Sequence, residues 1–324
     1  MSTVNSVLTE FEFLKNIKVK YGLSKVGDDC AVLPKDTETD LLITADMLVE
    51  DIDFRLEWTT PEFLGHKALG VSLSDIAAMG GNPVWTMLSV GIPESIWNTD
   101  FIDGFYAGLM PLAAEFKVEL VGGDISKTSD KILIDSIVGG EVAKGKAILR
   151  SGAKAGEGIF VTGTLGAAAG GLKLLKNGVK LDGISSETTQ DLLLNQLQPQ
   201  PQLAILKPLV TQDMISAAID ISDGFSSDLH HLCIASGVGA RIDVDSLPVN
   251  SSLASFFTKA ECLHMALHGG EDFEILFTGD EEKISASKIP GITRVGKIIA
   301  NIGNIELIDG DKVTILQPKG YRHF

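Results

Sequence analysis

Cysteine is scarce in this sequence: Cys30, Cys233 and Cys262 are the only three in 324 residues, an odd number with no CxxC pair. That pattern excludes a disulfide framework and a thiolate zinc site. Positive charge is also short, with 27 Lys and Arg against 43 Asp and Glu and a formal net charge of −16. Binding nucleic acid takes clustered cations that displace counterions from phosphates, so no nucleic-acid partner is expected. The same balance argues against docking on an anionic membrane surface. No window approaches the roughly eighteen uninterrupted apolar residues that span a bilayer. Glu10 and Glu12 fall where a signal peptide would carry its apolar stretch, and a cytoplasmic location is the resulting expectation. Familiar catalytic signatures are missing as well. There is no GxSxG and no HExxH, and the run 140–146 is followed by Ala147 where a phosphate-binding loop needs Ser or Thr.

What is present is apolar and glycine-punctuated: 44% of residues are hydrophobic and 34 are glycine. The length favours two domains over one and leaves ample material for a core. Runs rich in Val, Ile and Leu predict strands over 41–44, 84–90, 120–121, 132–138, 159–162 and 275–277. Apolar residues recurring every three or four predict helices over 61–79 and 101–116, the first with Pro61 at its start and Gly80-Gly81 past its end. Val7, Phe11, Leu14 and Ile17 predict a short amphipathic helix at the N-terminus. Strands and helices alternate, but Glu141-Val142 after the 132–138 run suggests a hairpin. The fold class expected is therefore α+β, two mixed α/β domains, more than an all-parallel sheet. The polar, glycine-spaced stretch 144–158 puts a boundary near Arg150, giving domains 1–148 and 149–324. The Gln- and Pro-rich stretch 195–208 reads as the lead-in to another helix.

The chemistry lies in a recurring device, an apolar run that ends in aspartate. It occurs at Asp28-Asp29, Asp46, Asp75, Asp124, Asp220 with Asp223, and Glu271-Asp272. Any one of these reads as a helix cap or a turn residue. Six separate occurrences are harder to dismiss, because ionised carboxylates cluster only when paired or metal-bound. An all-oxygen set without His or Cys suits a hard cation such as Mg²⁺, which is commonly shared between carboxylates and substrate phosphates. Phosphoryl transfer is the leading expectation. Arg150 is the best-placed cation to assist it. Tyr106 is expected to pack on adenine or to serve as a core aromatic; its helical spacing allows both. The Gly-flanked Asp28-Asp29 segment is expected to act as a flap over phosphates.

The segments GDDCAVL, LITADMLVE, GHKALGVSLSDIAAMGGNP, LVGGDIS, ILRSGAKAGEGIFVTGTLG, AIDISDGFSSDL, HGGEDFEILFT and KGYRHF cover nearly the whole chain. In this order they resemble the thiamine-monophosphate kinase family, within a superfamily that includes aminoimidazole ribonucleotide synthetase and selenophosphate synthetase. The resemblance implies ATP-dependent phosphorylation of thiamine monophosphate to thiamine diphosphate with several Mg²⁺ ions. It also implies a homodimer formed through the N-terminal sheet and an active site between the two domains. Metal ligands would be Asp29, Thr44, Ala45 through its backbone, Asp46, Asp75, Asp124, Asp220 and Asp223. ATP contacts would be Tyr106, Gly123, Asp124, Arg150 and Ser222, and substrate contacts Glu271 and Tyr321. Asp53 stands where that family commonly has a histidine touching substrate, which leaves the substrate role of this position open. No general base is expected. Two alternatives stay open: another ATP-dependent activity of the superfamily, on a ribonucleotide amide or on selenide, and a non-catalytic nucleotide and metal sensor.

Overall fold

A computed structural model describes residues 10–181 and 186–323. Val7, part of the expected N-terminal helix, lies outside the described residues; the helix itself is present as α1 (Glu10–Tyr21). The following elements build a five-stranded sheet: β1 (Ala31–Pro34), β2 (Thr39–Val49), α2 (Pro61–Ala78), β3 (Asn82–Pro93), α3 (Glu94–Trp97), α4 (Phe101–Phe116), β4 (Glu119–Thr128) and β5 (Leu133–Ala143). The strand order is β1-β2-β5-β3-β4, antiparallel except for the β3–β4 pair that α4 connects. The hairpin expected near residue 140 is absent, because β5 runs unbroken from Leu133 to Ala143. Gly139 is a packing glycine in mid-strand, where a Cβ would collide with the Trp85 indole.

The second half holds β6 (Gly158–Thr162), α5 (Ala167–Lys176), α6 (Glu187–Leu197), α7 (Leu203–Thr211), β7 (Ile215–Asp220), α8 (Phe225–Ser236) and β8 (Gly239–Asp243). It continues with α9 (Lys259–His268), β9 (Ile275–Gly279), α10 (Glu281–Ser287), β10 (Ile292–Ile299), β11 (Ile305–Asp309) and β12 (Lys312–Ile315). Among the described residues its sheet has the order β12-β11-β8-β10-β6-β9-β7 and one parallel pair, β8 with β11. The mixed architecture matches the expected fold class. The Pro-rich stretch after α6 does lead into a helix, α7.

Helix α2 is the organising element. Thr60 caps it by accepting a hydrogen bond from the Phe63 N–H, and Pro61 occupies its first turn, where a missing N–H costs nothing. The sequence suggests one apolar face, yet α2 is buried along almost its whole length from Leu64 to Ala78. One side lies on β2, β3 and β5, another on α4, and a third on α6, α7, β7 and β9 of the second half. The crossing with α4 is close: a Cβ on Gly65 would collide with the Phe105 carbonyl, and one on Gly108 with the Glu62 carbonyl. Leu69, Leu73 and Ile76 join Leu42, Leu88, Phe105 and Leu109 in the core of the first half. The second core gathers Ile159, Val161, Ile219, Phe225, Leu229 and Leu276. Among the described residues no helix is long and apolar enough to cross a membrane.

Candidate active site

Three carboxylates from distant stretches of chain meet beside α2. Asp29 precedes β1, Asp75 lies on α2 and Asp220 ends β7, and one oxygen of each lies within 4.8 Å of the others. Alternation along β2 turns Thr44 and Asp46 toward the same helix and Ala45 away from it. The Thr44 hydroxyl donates to Asp75 Oδ2. Ser72 Oγ donates to Asp46 Oδ2 at 2.8 Å, and Ser74 Oγ to Asp220 Oδ2 at 2.8 Å. Arg150 braces Asp29, with Nε 2.9 Å from Oδ1 and Nη2 on the same oxygen, while the Arg150 N–H donates to Asp28 Oδ1 at 2.9 Å. The segment expected to be a flap is thus anchored on Arg150 and followed by the buried Cys30.

The cluster resists ionisation. Burial lifts the Asp29 pKa in spite of Arg150. Burial also pushes Asp46 up to about 6, with Asp135 and Asp29 adding repulsion against the stabilising Ser72 hydroxyl. Asp75 is raised well above the carboxylate range by burial and then by the charges of Asp46, Asp220 and Asp29. Asp220 is raised by burial and by Asp29. Asp29 Oδ2 is buried without a hydrogen-bond partner among the described residues. Converging oxygens, mutual repulsion and an unpaired buried carboxylate oxygen are what a hard divalent cation relieves. The residues fit Mg²⁺.

Two consecutive family models match the chain: AIR synthase related protein, N-terminal domain, over residues 27–148, and its C-terminal domain over 154–286. Curated relatives include the thiamine-monophosphate kinase of Salmonella typhimurium, 38% identical over 92% of this chain and 91% of that protein. That of Bacillus subtilis is 35% identical over 92% and 93%. The chain belongs to the thiamine-monophosphate kinase family. A solved structure described as AaThiL complexed with AMPPCP and TMP superposes with a TM-score of 0.88 at 32% identity, covering 100% of both chains.

Other residues suggested by the family resemblance fall into three places. Ser222 and Asp223 follow β7, and the Asp223 carbonyl accepts the Tyr321 N–H at 3.0 Å. This contact, with Lys319 on Ser226 Oγ and Gly320 on Ser227 Oγ, pins the C-terminal segment beside the start of α8. Glu271, Asp53 and Tyr321 form a second group: burial and then the charges of Asp53, Glu271 and Asp223 raise the Tyr321 pKa. Asp53 Oδ2 accepts the Val49 N–H at 2.8 Å. Tyr106 is half-buried on α4, edge-on to Phe105 at 5.6 Å and packed against the first core.

Asp124 is the outlier. Register pairs it with Ser89, Ser89 with Asp135, and Asp135 with Met47, so these four share a face of the first sheet. Asp46 belongs to the neighbouring row with buried Ser136, facing α2. With strands about 4.8 Å apart, Asp124 stands roughly 14 Å across the sheet from Asp46 and on its opposite side. Gly123 lies beside it on exposed β4. The sequence reading missed Ser72, Ser74, Lys67 and Gln196. The signal for the first three is a polar residue inside a helix whose neighbours are otherwise apolar, which requires a buried partner.

Proposed function

We propose that this protein transfers the γ-phosphoryl group of ATP to thiamine monophosphate, forming thiamine diphosphate, in the cytoplasm. The observation that carries the reading is the meeting of Asp29, Asp75 and Asp220 with an unpaired buried oxygen, in a chain that matches thiamine-monophosphate kinases over nine-tenths of its length. Asp29, Thr44, the Ala45 carbonyl, Asp46, Asp75, Asp220 and Asp223 would hold several Mg²⁺ ions. Bound there, the ions supply charge neutralisation between two phosphate-bearing reactants.

The chain's own residues position and shield. Ser72, Ser74 and Thr44 aim three of the carboxylates and hold them in one rotamer each. Arg150 offsets part of the burial cost of Asp29 and, with Ser222, Gly123 and Tyr106, contacts ATP. Glu271, Asp53 and Tyr321 take the thiamine head, whose thiazolium charge suits carboxylates beside an aromatic ring. The acceptor is a phosphate oxygen, largely ionised at neutral pH because a phosphomonoester's second pKa is about 6. No side chain has to remove a proton. Catalysis then rests on in-line positioning and charge stabilisation.

A homodimer is part of this reading: the face of the first sheet that carries Asp124 also carries Met47, 58% exposed, and a second copy would dock there. Incubation of the protein with ATP, Mg²⁺ and thiamine monophosphate, with chromatographic detection of thiamine diphosphate, tests the reading. Stoichiometric appearance of ADP and thiamine diphosphate is expected. ATP binding without that product would overturn it.

A further inference from the structure

Glu271 is gripped by residues that the mechanism above leaves without a role. Lys67, on α2, places Nζ 2.7 Å from Glu271 Oε1, and Gln196, near the end of α6, donates from Nε2 to Glu271 Oε2. Lys67 is 3% exposed and its Nζ also reaches the Gln196 carbonyl at 3.3 Å. An ammonium that deep is stable only when paired, and here the pairing is spent on one carboxylate. Gln196 is 4% exposed, and its Oε1 has no hydrogen-bond partner among the described residues. Turning the amide over would set oxygen against oxygen at Glu271, so the contact itself fixes the amide orientation. The fold thus tolerates an unsatisfied buried acceptor to keep an N–H on Glu271.

The backbone repeats the theme. Glu271 (φ +67°) and Phe273 (φ +48°) both occupy the left-handed region, which side-chain-bearing residues avoid. The segment is held there by Glu271 N–H on the Ser222 carbonyl at 2.7 Å and Phe273 N–H on the Ile221 carbonyl at 2.9 Å. Between them, Asp272 accepts the Gly166 and Ala168 N–H groups at 2.6 and 3.2 Å. These contacts fix both the backbone and the carboxylate of Glu271. Lys67 also stands two turns before Ser74 and Asp75 on the same helix, so α2 sets the Glu271 carboxylate at a fixed distance from the acidic cluster.

We infer that Lys67 and Gln196 are positioning residues that fix Glu271 for recognition of the acceptor's cationic heterocyclic head. Lys67 holds one oxygen of Glu271 and eases its repulsion with the neighbouring Asp53, and Gln196 locks the second oxygen of Glu271. The inference rests on the reading of the acceptor as thiamine monophosphate.

Steady-state kinetics with each substrate varied tests it, using Lys67→Met and Gln196→Leu. The KM for thiamine monophosphate is expected to rise about tenfold in the first and about threefold in the second, with kcat and the KM for ATP within twofold of the parent. Gln196→Leu also removes the unsatisfied acceptor, so its melting temperature is expected to stay level or rise while KM worsens, a combination that a merely structural role does not give. Lys67→Met combined with Glu271→Gln is expected to lose no more than Glu271→Gln alone, because the lysine acts through the glutamate. Equal changes in both KM values, additive losses in the double variant, or an unchanged KM for thiamine monophosphate in Gln196→Leu would overturn the inference while the parent remains an active kinase. A parent that yields no thiamine diphosphate overturns the functional reading itself.

Discussion

Asp46 and Asp223 separate function from stability at the scale of one side chain. Each is expected to lose at least a hundredfold in kcat/KM as the asparagine variant, about 2.7 kcal/mol of transition-state stabilisation. The metal-free Asp46→Asn protein should melt no lower than the parent, since burial and neighbouring carboxylates already oppose ionisation there. Calorimetry beside the kinetic assay checks both halves; retained activity in folded variants removes the acidic cluster from the mechanism. The aspartates were legible because each ends an apolar run, a place where Asp is otherwise only a cap. Their hydroxyl partners were not, because Ser72 and Ser74 carry no charge and sit in a segment whose spacing marks it simply as core. Gln196 was invisible for another reason: its contact with Glu271 spans 75 positions, and only folding creates it.

Elements differ in how openly the chain announces them. The central strands β6 and β9 are buried at every position, so they read as continuous apolar runs. Helix α4 was placed to the residue by its 3.6-residue recurrence. By contrast β12 is exposed throughout and β10 carries Arg294 and Lys297, so neither shows an apolar signature. Within α2, the crossing with α4 leaves no room for a methyl group. Gly65→Ala is expected to destabilise the protein by about 3 kcal/mol, read as a lower urea midpoint.

The segment after α9 adds a pH signature. Asp272 and Glu274 are both pushed up to about 7, in each case mainly by burial. The folded protein therefore keeps protons that the unfolded chain releases near pH 4, and the stability these groups contribute is full below that point. It is lost as pH rises through about 7. Urea midpoints at constant ionic strength should fall between about pH 5 and 8, and Glu274→Gln should make that fall shallower.

The whole molecule poses the question of how many chains make one site. If Asp124 serves across a dimer interface, Asp46→Asn and Asp124→Asn chains, each inactive alone, regain activity when mixed by co-expression. Random pairing gives half heterodimers, each with one intact site of two, and therefore roughly a quarter of parental activity. No recovery from a well-mixed dimer population would place Asp124 outside the site. The arrangement of sheets around one helix was legible only in outline, since alternating runs name a fold class without saying which strand lies beside which.

If the acid group on the far side of the first sheet serves a second copy, a solitary polypeptide would be unfinished as a catalyst. Turnover per molecule would then climb with abundance and level off once every copy has met another. Mere dilution would become a brake, and a freshly made first copy would stay idle until a sibling arrives.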